Sequence, residues 1–273
     1  MGAQCVNGHT HLTKKAAKDE LFMANYYLNV DNISRKKSAS LIGTASYICG
    51  RTLYDSRIEQ THSYSRDDIL YRQIFLPKGV PSNFYDLQYL CDKIEEAENR
   101  RDARTARYII ASLPNELPQH ELSRIVKEYI EANFVARDLC AIAAIHSGQN
   151  VDDPSKDNPH VHIIVSTRTV GPNGFCEHKD REHDLRKYIL IWREEWAIVQ
   201  NQAYVRAGLG IQVSHKGLRA QGIEDREPIK YLNRTDWQIK HREAARVRER
   251  GRAIDRHDGE PIRQQKIGRE PSR

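Results

Sequence analysis

No stretch of the 273 residues approaches the eighteen or so consecutive apolar positions that a membrane-spanning helix needs, so membrane insertion is not expected. The opening MGAQCVNGHTHLTKKAAKDE has no apolar core and does not read as a secretory signal. Cysteine is sparse and unpaired in pattern: Cys5, Cys49, Cys91, Cys140 and Cys176 are odd in number, widely scattered and form no C-x-x-C. That excludes a disulfide framework and a cysteine zinc site, and it points to a reducing cytoplasm. Internal repeats and low-complexity segments are absent. No obvious carboxylate cluster is present either, so a metal site here would have to be built from other ligands.

What the chain does hold is a foldable polar composition, 39% hydrophobic and 29% charged, with a mean hydropathy of −0.72. Its length suits one large domain or two small ones, and the pattern favours one domain with tails. Net charge is +6, and from Lys240 to Arg273 there are 11 Lys or Arg against 6 Asp or Glu. Such a basic tail suits a polyanion such as DNA, although on charge alone a solvated, partly helical tail is the plainer reading. Residues 1–22 read as a detachable extension, 23–232 as the folded domain and 233–273 as the tail.

Within the domain, NYYLNVDN alternates as a half-buried strand should. SRKKSASLIGTASYICG then places Ala39, Ile42, Ala45 and Cys49 at helical spacing, with Tyr47 off that stripe. ILYRQIFLP is a strand stopped by Pro77. A long amphipathic helix is predicted from Ser82 to about Thr105, through Phe84, Leu87, Leu90, Cys91, Ile94 and Ala97. RYIIASLP is a third strand, 119–133 a helix, DLCAIAAIH (138–146) a nearly all-apolar strand and NPHVHIIVSTR another. A helix bearing Trp192, Trp196, Val199 and Ala203 ends near Gly208, and GIQVS follows as a short strand. Strands and helices do not alternate as βαβ units, so the fold class expected is α+β, an antiparallel sheet with helices packed on it.

The chemistry concentrates in NPHVHIIVSTR. Side chains alternate along a strand, so His160 and His162 share a face with Ile164, Ser166 and Arg168. If the strand ending in His146 pairs with it as a hairpin, a third imidazole reaches the same spot. Three neutral imidazoles make a half-open ligand set for a divalent cation. A hydrogen-bonded core histidine is the plainer reading of any one of them, and H-x-H alone is weak: a second copy, NGHTHL, lies in the N-terminal extension with no strand behind it. In a basic protein such an ion would act as a Lewis acid on a phosphoryl oxygen, which leaves a nucleophile to be found. Among 13 tyrosines, Tyr47 on its short helix, flanked by Arg35, Lys36, Lys37 and Arg51, is a candidate.

Together these segments resemble the plasmid mobilisation relaxases of the MobA/MobL type, within the HUH endonucleases. The resemblance runs from Met23 to about residue 232. It rests on SRKKSASLIGTASY, the LP at Leu113 and Pro114, the AIH at 144–146, NPHVHIIVSTR and AGLGIQVSHKGLRAQGIEDREP. It implies a relaxase-like single domain, metal binding by His146, His160 and His162, and a nucleophilic Tyr47. It also implies DNA contacts from Arg168 and from the basic residues around the tyrosine helix, Arg35, Lys36 and Arg51. The ion implied is Mg2+ or Mn2+, with Zn2+ also suited to three imidazoles. One departure stands out: Tyr108 occupies the position where relatives carry an acid, with Glu98, Asp102 or Glu116 as conceivable substitutes.

The implied activity is a metal-assisted, site- and strand-specific nick at an origin of transfer. Tyr47 would end in a 5′-phosphotyrosyl bond and leave a free 3′-OH. The implied partners are single-stranded oriT DNA, accessory mobilisation proteins and a type IV secretion coupling protein. Two alternatives stay open. A rolling-circle initiator or transposase of the same class would place its tyrosine after the histidines, where Tyr188 and Tyr204 lie. A catalytically decayed relaxase fold would bind DNA without cutting.

Overall fold

Alternation and helical spacing resolve, in a computed structural model that describes residues 22–23, 26–37, 39–149 and 157–224, into ten strands and four α-helices. The strands are β1 (Phe22–Met23), β2 (Leu28–Ser34), β3 (Leu53–Asp55), β4 (Gln60–His62), β5 (Ile69–Phe75), β6 (Arg104–Ser112), β7 (Leu139–His146), β8 (His160–Gly171), β9 (Gly174–Phe175) and β10 (Ile211–Gln212). The helices are α1 (Leu41–Cys49), α2 (Leu87–Ala97), α3 (Gln119–Asn133) and α4 (Arg186–Arg206). None of the described helices is long and apolar enough to cross a membrane.

The main sheet runs β2-β6-β8-β7-β5, and each neighbouring pair is antiparallel. The α+β class expected from the sequence is therefore the class observed. The expected hairpin forms as well: β7 pairs with β8 in a register that sets His146 directly opposite His160. Because both strands are central, β7 is buried along its whole length, which explains its unbroken apolar run.

One face of the sheet, with Ile109, Ala111, Val161, Ile163 and Val165, carries α3 and α4. Trp192 and Trp196 are fully buried there; Trp196 stacks edge-on to Tyr129 at 4.9 Å and donates from Nε1 to the Ser112 carbonyl at 3.2 Å. Each such ring contributes roughly 2–3 kcal/mol of burial. The opposite face, with Ala106, Cys140, Ile142, Ala144 and Ile164, carries α1 and α2. Since His162 lies two residues before Ile164 on β8, the histidines look toward the α1 side.

Three expectations are corrected. The helix predicted from Ser82 to Thr105 is shorter. Ser82–Tyr85 is a separate 3-10 turn after Pro81, and Asp86 opens α2 by accepting from the Tyr89 N–H. The helix then stops at Ala97, where Glu98 turns its side chain into the protein, and Thr105 already belongs to β6. The strand GIQVS shrinks to Ile211–Gln212, and Phe22, assigned to the extension, pairs with it in parallel through β1.

The chain divides into two compact units at Lys216. Of the second, residues 217–224 are described and form a 3-10 turn, Leu218–Gln221, closed by Gly222. Residues 1–21, with NGHTHL, and the basic tail from 233 onward lie outside the described residues.

Candidate active site

The site is built where α1 ends against the β7–β8 hairpin. Ser40 caps α1 by accepting from the Gly43 N–H at 2.9 Å, and its hydroxyl donates to the buried Asp55 at 2.7 Å. At the other end Gly50 takes the left-handed conformation, φ 57°, and its N–H returns to the Ser46 carbonyl. Between these caps the apolar residues Leu41, Ile42, Ala45, Ile48 and Cys49 are buried, and Tyr47 is left half-buried at the rim.

His146, His160 and His162 converge: one ligand atom from each lies within 4.8 Å of the others. Ring centroids are 4.6 Å apart for His146 and His162, 4.9 Å for His160 and His162, and 5.5 Å for His146 and His160. Each ring is held through one nitrogen. Nε2 of His146 bonds the Ile48 carbonyl at 2.8 Å, Nδ1 of His160 bonds the Asn158 carbonyl at 2.8 Å, and Nδ1 of His162 meets the Tyr108 hydroxyl at 2.6 Å. That leaves Nδ1 of His146 and Nε2 of the other two for a ligand. Among the described residues Nδ1 of His146 is buried without a hydrogen-bond partner, an expensive state unless an ion or water meets it.

Burial, more than the neighbouring imidazoles and Arg66, pushes His146 down to about 4 and His162 down to about 2, and lowers His160 as well. At neutral pH all three rings are uncharged, the form that coordinates metals. The donor set therefore fits a divalent cation that accepts nitrogen ligands.

A close backbone approach fixes the hairpin beyond the histidines. Gly148, at φ 56°, accepts through its carbonyl from the Asn158 N–H at 3.0 Å, and a Cβ there would sit 2.1 Å from the Asn158 oxygen. Only glycine fits.

Tyr47 stands edge-on to His146, 6.3 Å between ring centroids, and edge-on to Tyr64 at 5.5 Å. Arg66, which the sequence reading missed, lies over its ring with the guanidinium carbon 4.5 Å from the centroid. Asp68 grips the same guanidinium with two bonds, Nε to Oδ1 at 2.8 Å and Nη2 to Oδ2 at 2.5 Å. These bonds hold Arg66 protonated far above its ordinary range. No sequence signal marks it, because it lies in an irregular segment between two strands.

The four basic residues expected at DNA separate into two pairs. Arg35 is spent internally on Glu95 and on the carbonyls of Glu98 and Arg100. Arg168 is spent on the buried carboxylate of Glu98 at 2.8 Å, which Lys179 and Thr167 also hold. Lys36 and Arg51, flanking α1, are exposed. The conceivable acid substitutes are engaged elsewhere in two cases: Glu98 as described, and Glu116 with the Tyr204 hydroxyl at 3.1 Å. Tyr204 is buried and Tyr188 bonds Glu182 at 2.7 Å; among the described contacts neither joins the histidines.

The MobA/MobL family profile matches residues 38–242. The probable mobilization protein MobA of Bifidobacterium longum is 35% identical over 176 residues, covering 63% of this chain and 30% of that protein. Mobilization protein MobL of Acidithiobacillus ferridurans is 28% identical over 256 residues, covering 84% of this chain and 67% of that protein. The chain thus matches under a third of the first relative and about two thirds of the second. A solved structure described as "Molecular Basis of Vancomycin Resistance Transfer in Staphylococcus aureus" has the same fold, with a TM-score of 0.64 at 24% identity over 71% of this chain and all of that one. The chain belongs to the MobA/MobL family.

Proposed function

We propose that this chain is a DNA relaxase that nicks one strand at a plasmid origin of transfer in the bacterial cytoplasm, for conjugative mobilisation. One observation carries the reading: a tyrosine at a helix end stands edge-on to one of three converging, uncharged imidazoles. In this reading Tyr47 Oη attacks the scissile phosphorus and the bond from phosphorus to the 3′-oxygen breaks. The products are a 5′-phosphotyrosyl bond and a 3′-OH; the tyrosine proton passes to solvent and the leaving oxygen takes one from solvent. Because the new ester keeps the energy of the old one, the step reverses and can rejoin the strand.

His146, His160 and His162 would hold a divalent ion, which supplies Lewis-acid withdrawal of charge from a phosphoryl oxygen. Arg66, stacked over the Tyr47 ring, would offer donors to the phosphate, and burial keeps the imidazoles unprotonated. Lys36 and Arg51 supply phosphate contacts along the strand, whereas Arg35 and Arg168 brace the scaffold. Accessory mobilisation proteins and a secretion coupling protein are the further partners this function requires.

The test uses single-stranded oligonucleotides tiled across the DNA flanking the gene, incubated with wild type or Tyr47→Phe, with Mn2+ or EDTA, and run on denaturing gels. A covalent protein–DNA band that needs both Tyr47 and metal supports the reading. Sequence-specific binding with no adduct in any metal contradicts it and identifies a binder that no longer cuts.

A further inference from the structure

A hairpin packs against the tyrosine helix and carries residues that the proposed reaction leaves unused. β3 and β4 pair Leu53 with His62 and Tyr54 with Thr61; Leu53 is buried, and the His62 ring lies against Gly43 of α1. The pairing carries on past the strand ends, where the hydroxyls of Thr52 and Ser63 join at 2.8 Å. The same register brings Arg51 opposite Tyr64. Both are exposed, and Arg51 makes no ion pair among the described residues.

An exposed tyrosine is ordinary on a protein surface. Tyr64, 42% exposed, is marked out by its company. Its ring stands edge-on to Tyr47 with centroids 5.5 Å apart, and Arg66 lies over the Tyr47 ring at 4.5 Å. A flat aromatic surface beside the candidate nucleophile therefore has cations on either side, Arg51 and Arg66. That combination suits a single strand of nucleic acid, whose phosphates meet the cations while an unpaired base lays its face on the ring. In a duplex the same base is stacked between its neighbours, and freeing it costs a few kcal/mol.

We propose that Tyr64 is the stacking platform for an unpaired nucleobase beside the scissile phosphate, with Arg51 on a neighbouring phosphate. This rests on the proposed function and deepens it, by naming the contact through which that site takes single-stranded DNA. A strand advances about 3.4 Å per nucleotide when stacked and further when extended. The 5.5 Å between Tyr47 and Tyr64 thus corresponds to a base one or two positions from the attacked phosphate. Every base has a π-face, so the contact sets the state and register of the strand and leaves sequence to be read elsewhere.

The experiment reads binding with cleavage switched off. Tyr47→Phe protein in EDTA is titrated by fluorescence anisotropy with the tightest-binding oligonucleotide of the tiled set, and with copies in which each nucleotide in turn is abasic. At one or two adjacent positions, loss of the base should weaken binding about 10-fold. With Tyr64→Ala added, the intact strand should bind about as weakly, and loss of that base should cost nothing further. Tyr64→Phe should bind like its parent, because the ring stacks without its hydroxyl. Should the alanine protein melt early, Tyr64→Leu fills the space without a π-face and takes its place. Unchanged affinity in the variant would overturn the proposal. So would an equal loss on intact and abasic strands, the mark of a residue that only props Tyr47. Failure to bind any tiled strand would overturn both this role and the proposed function. Coupling of Tyr64 to one base, with no adduct from wild type in Mn2+, would contradict only the proposed function; an adduct without that coupling would contradict only the platform.

Discussion

His146 donates from Nε2 to the backbone carbonyl of Ile48 at 2.8 Å, and Ile48 follows Tyr47 in the chain. A candidate metal ligand and the candidate nucleophile are thus joined by one hydrogen bond and one peptide unit. The carbonyl is available because it lies in the last turn of α1, where four carbonyls have no partner within the helix.

This joint depends on Gly50, whose left-handed conformation ends α1 and whose Cβ, if present, would lie 2.9 Å from Ile69 Cδ1. Gly50→Ala should cost about 1–2 kcal/mol of stability from backbone strain alone. It should lower the rate of adduct formation more than it lowers DNA affinity. A melting curve with single-turnover cleavage checks both.

Arg66 touches Tyr47 and is held by Asp68. Arg66→Ala should slow adduct formation about 100-fold, the usual cost of losing one well-placed charged donor. Arg66→Lys should recover part of that rate, because the charge returns but the two-pronged grip on Asp68 does not. DNA affinity, measured by fluorescence anisotropy on one oligonucleotide, should change far less than the rate.

The four basic residues should divide by assay. Arg168→Ala strips a partner from Glu98, whose side chain is 3% exposed, and should cost about 3 kcal/mol of stability while leaving the salt dependence of DNA binding unchanged. Lys36→Ala and Arg51→Ala should do the reverse: melting temperature holds, and each substitution reduces the slope of log affinity against log salt by about 1.

Cysteine reactivity reports on the layer over the histidine face. Cys49 of α1, Cys91 of α2 and Cys140 of β7 are buried; burial pushes Cys49 up to about 11, Cys140 up to about 12 and Cys91 well above its usual range. Raised values leave the thiol protonated and unreactive at pH 8. Of the four described cysteines, only exposed Cys176 should react with a thiol reagent in the native state, and all four should react in guanidinium.

Much of the site was legible because strand geometry is strict. Period two places His160 and His162 on one face, and the hairpin brings in His146, so the convergence needed only the apolar runs on either side. The helix predicted to Thr105 overran because ENRRDAR holds only one small apolar residue, Ala103, to reveal a change of period, and because the cap made by Asp86 looks like any helical acid. Arg35 and Arg168 read as free cations because their acid partners, Glu95 and Glu98, lie 60 and 70 residues away in the chain. Arg66 and the bond from Tyr108 to His162 depend on tertiary approach, which no local spacing encodes.

The central claim is that Tyr47 forms the bond to DNA. Trypsin should release it within SASLIGTASYICGR, residues 38–51, a peptide with a single tyrosine. Wild-type protein incubated with Mn2+ and the cleaved oligonucleotide, then digested with nuclease and trypsin, should yield that peptide carrying a nucleotide 5′-phosphate on Tyr47 by tandem mass spectrometry. The same mass addition on the peptide containing Tyr188 or Tyr204, with the Tyr47 peptide unmodified, would contradict the account.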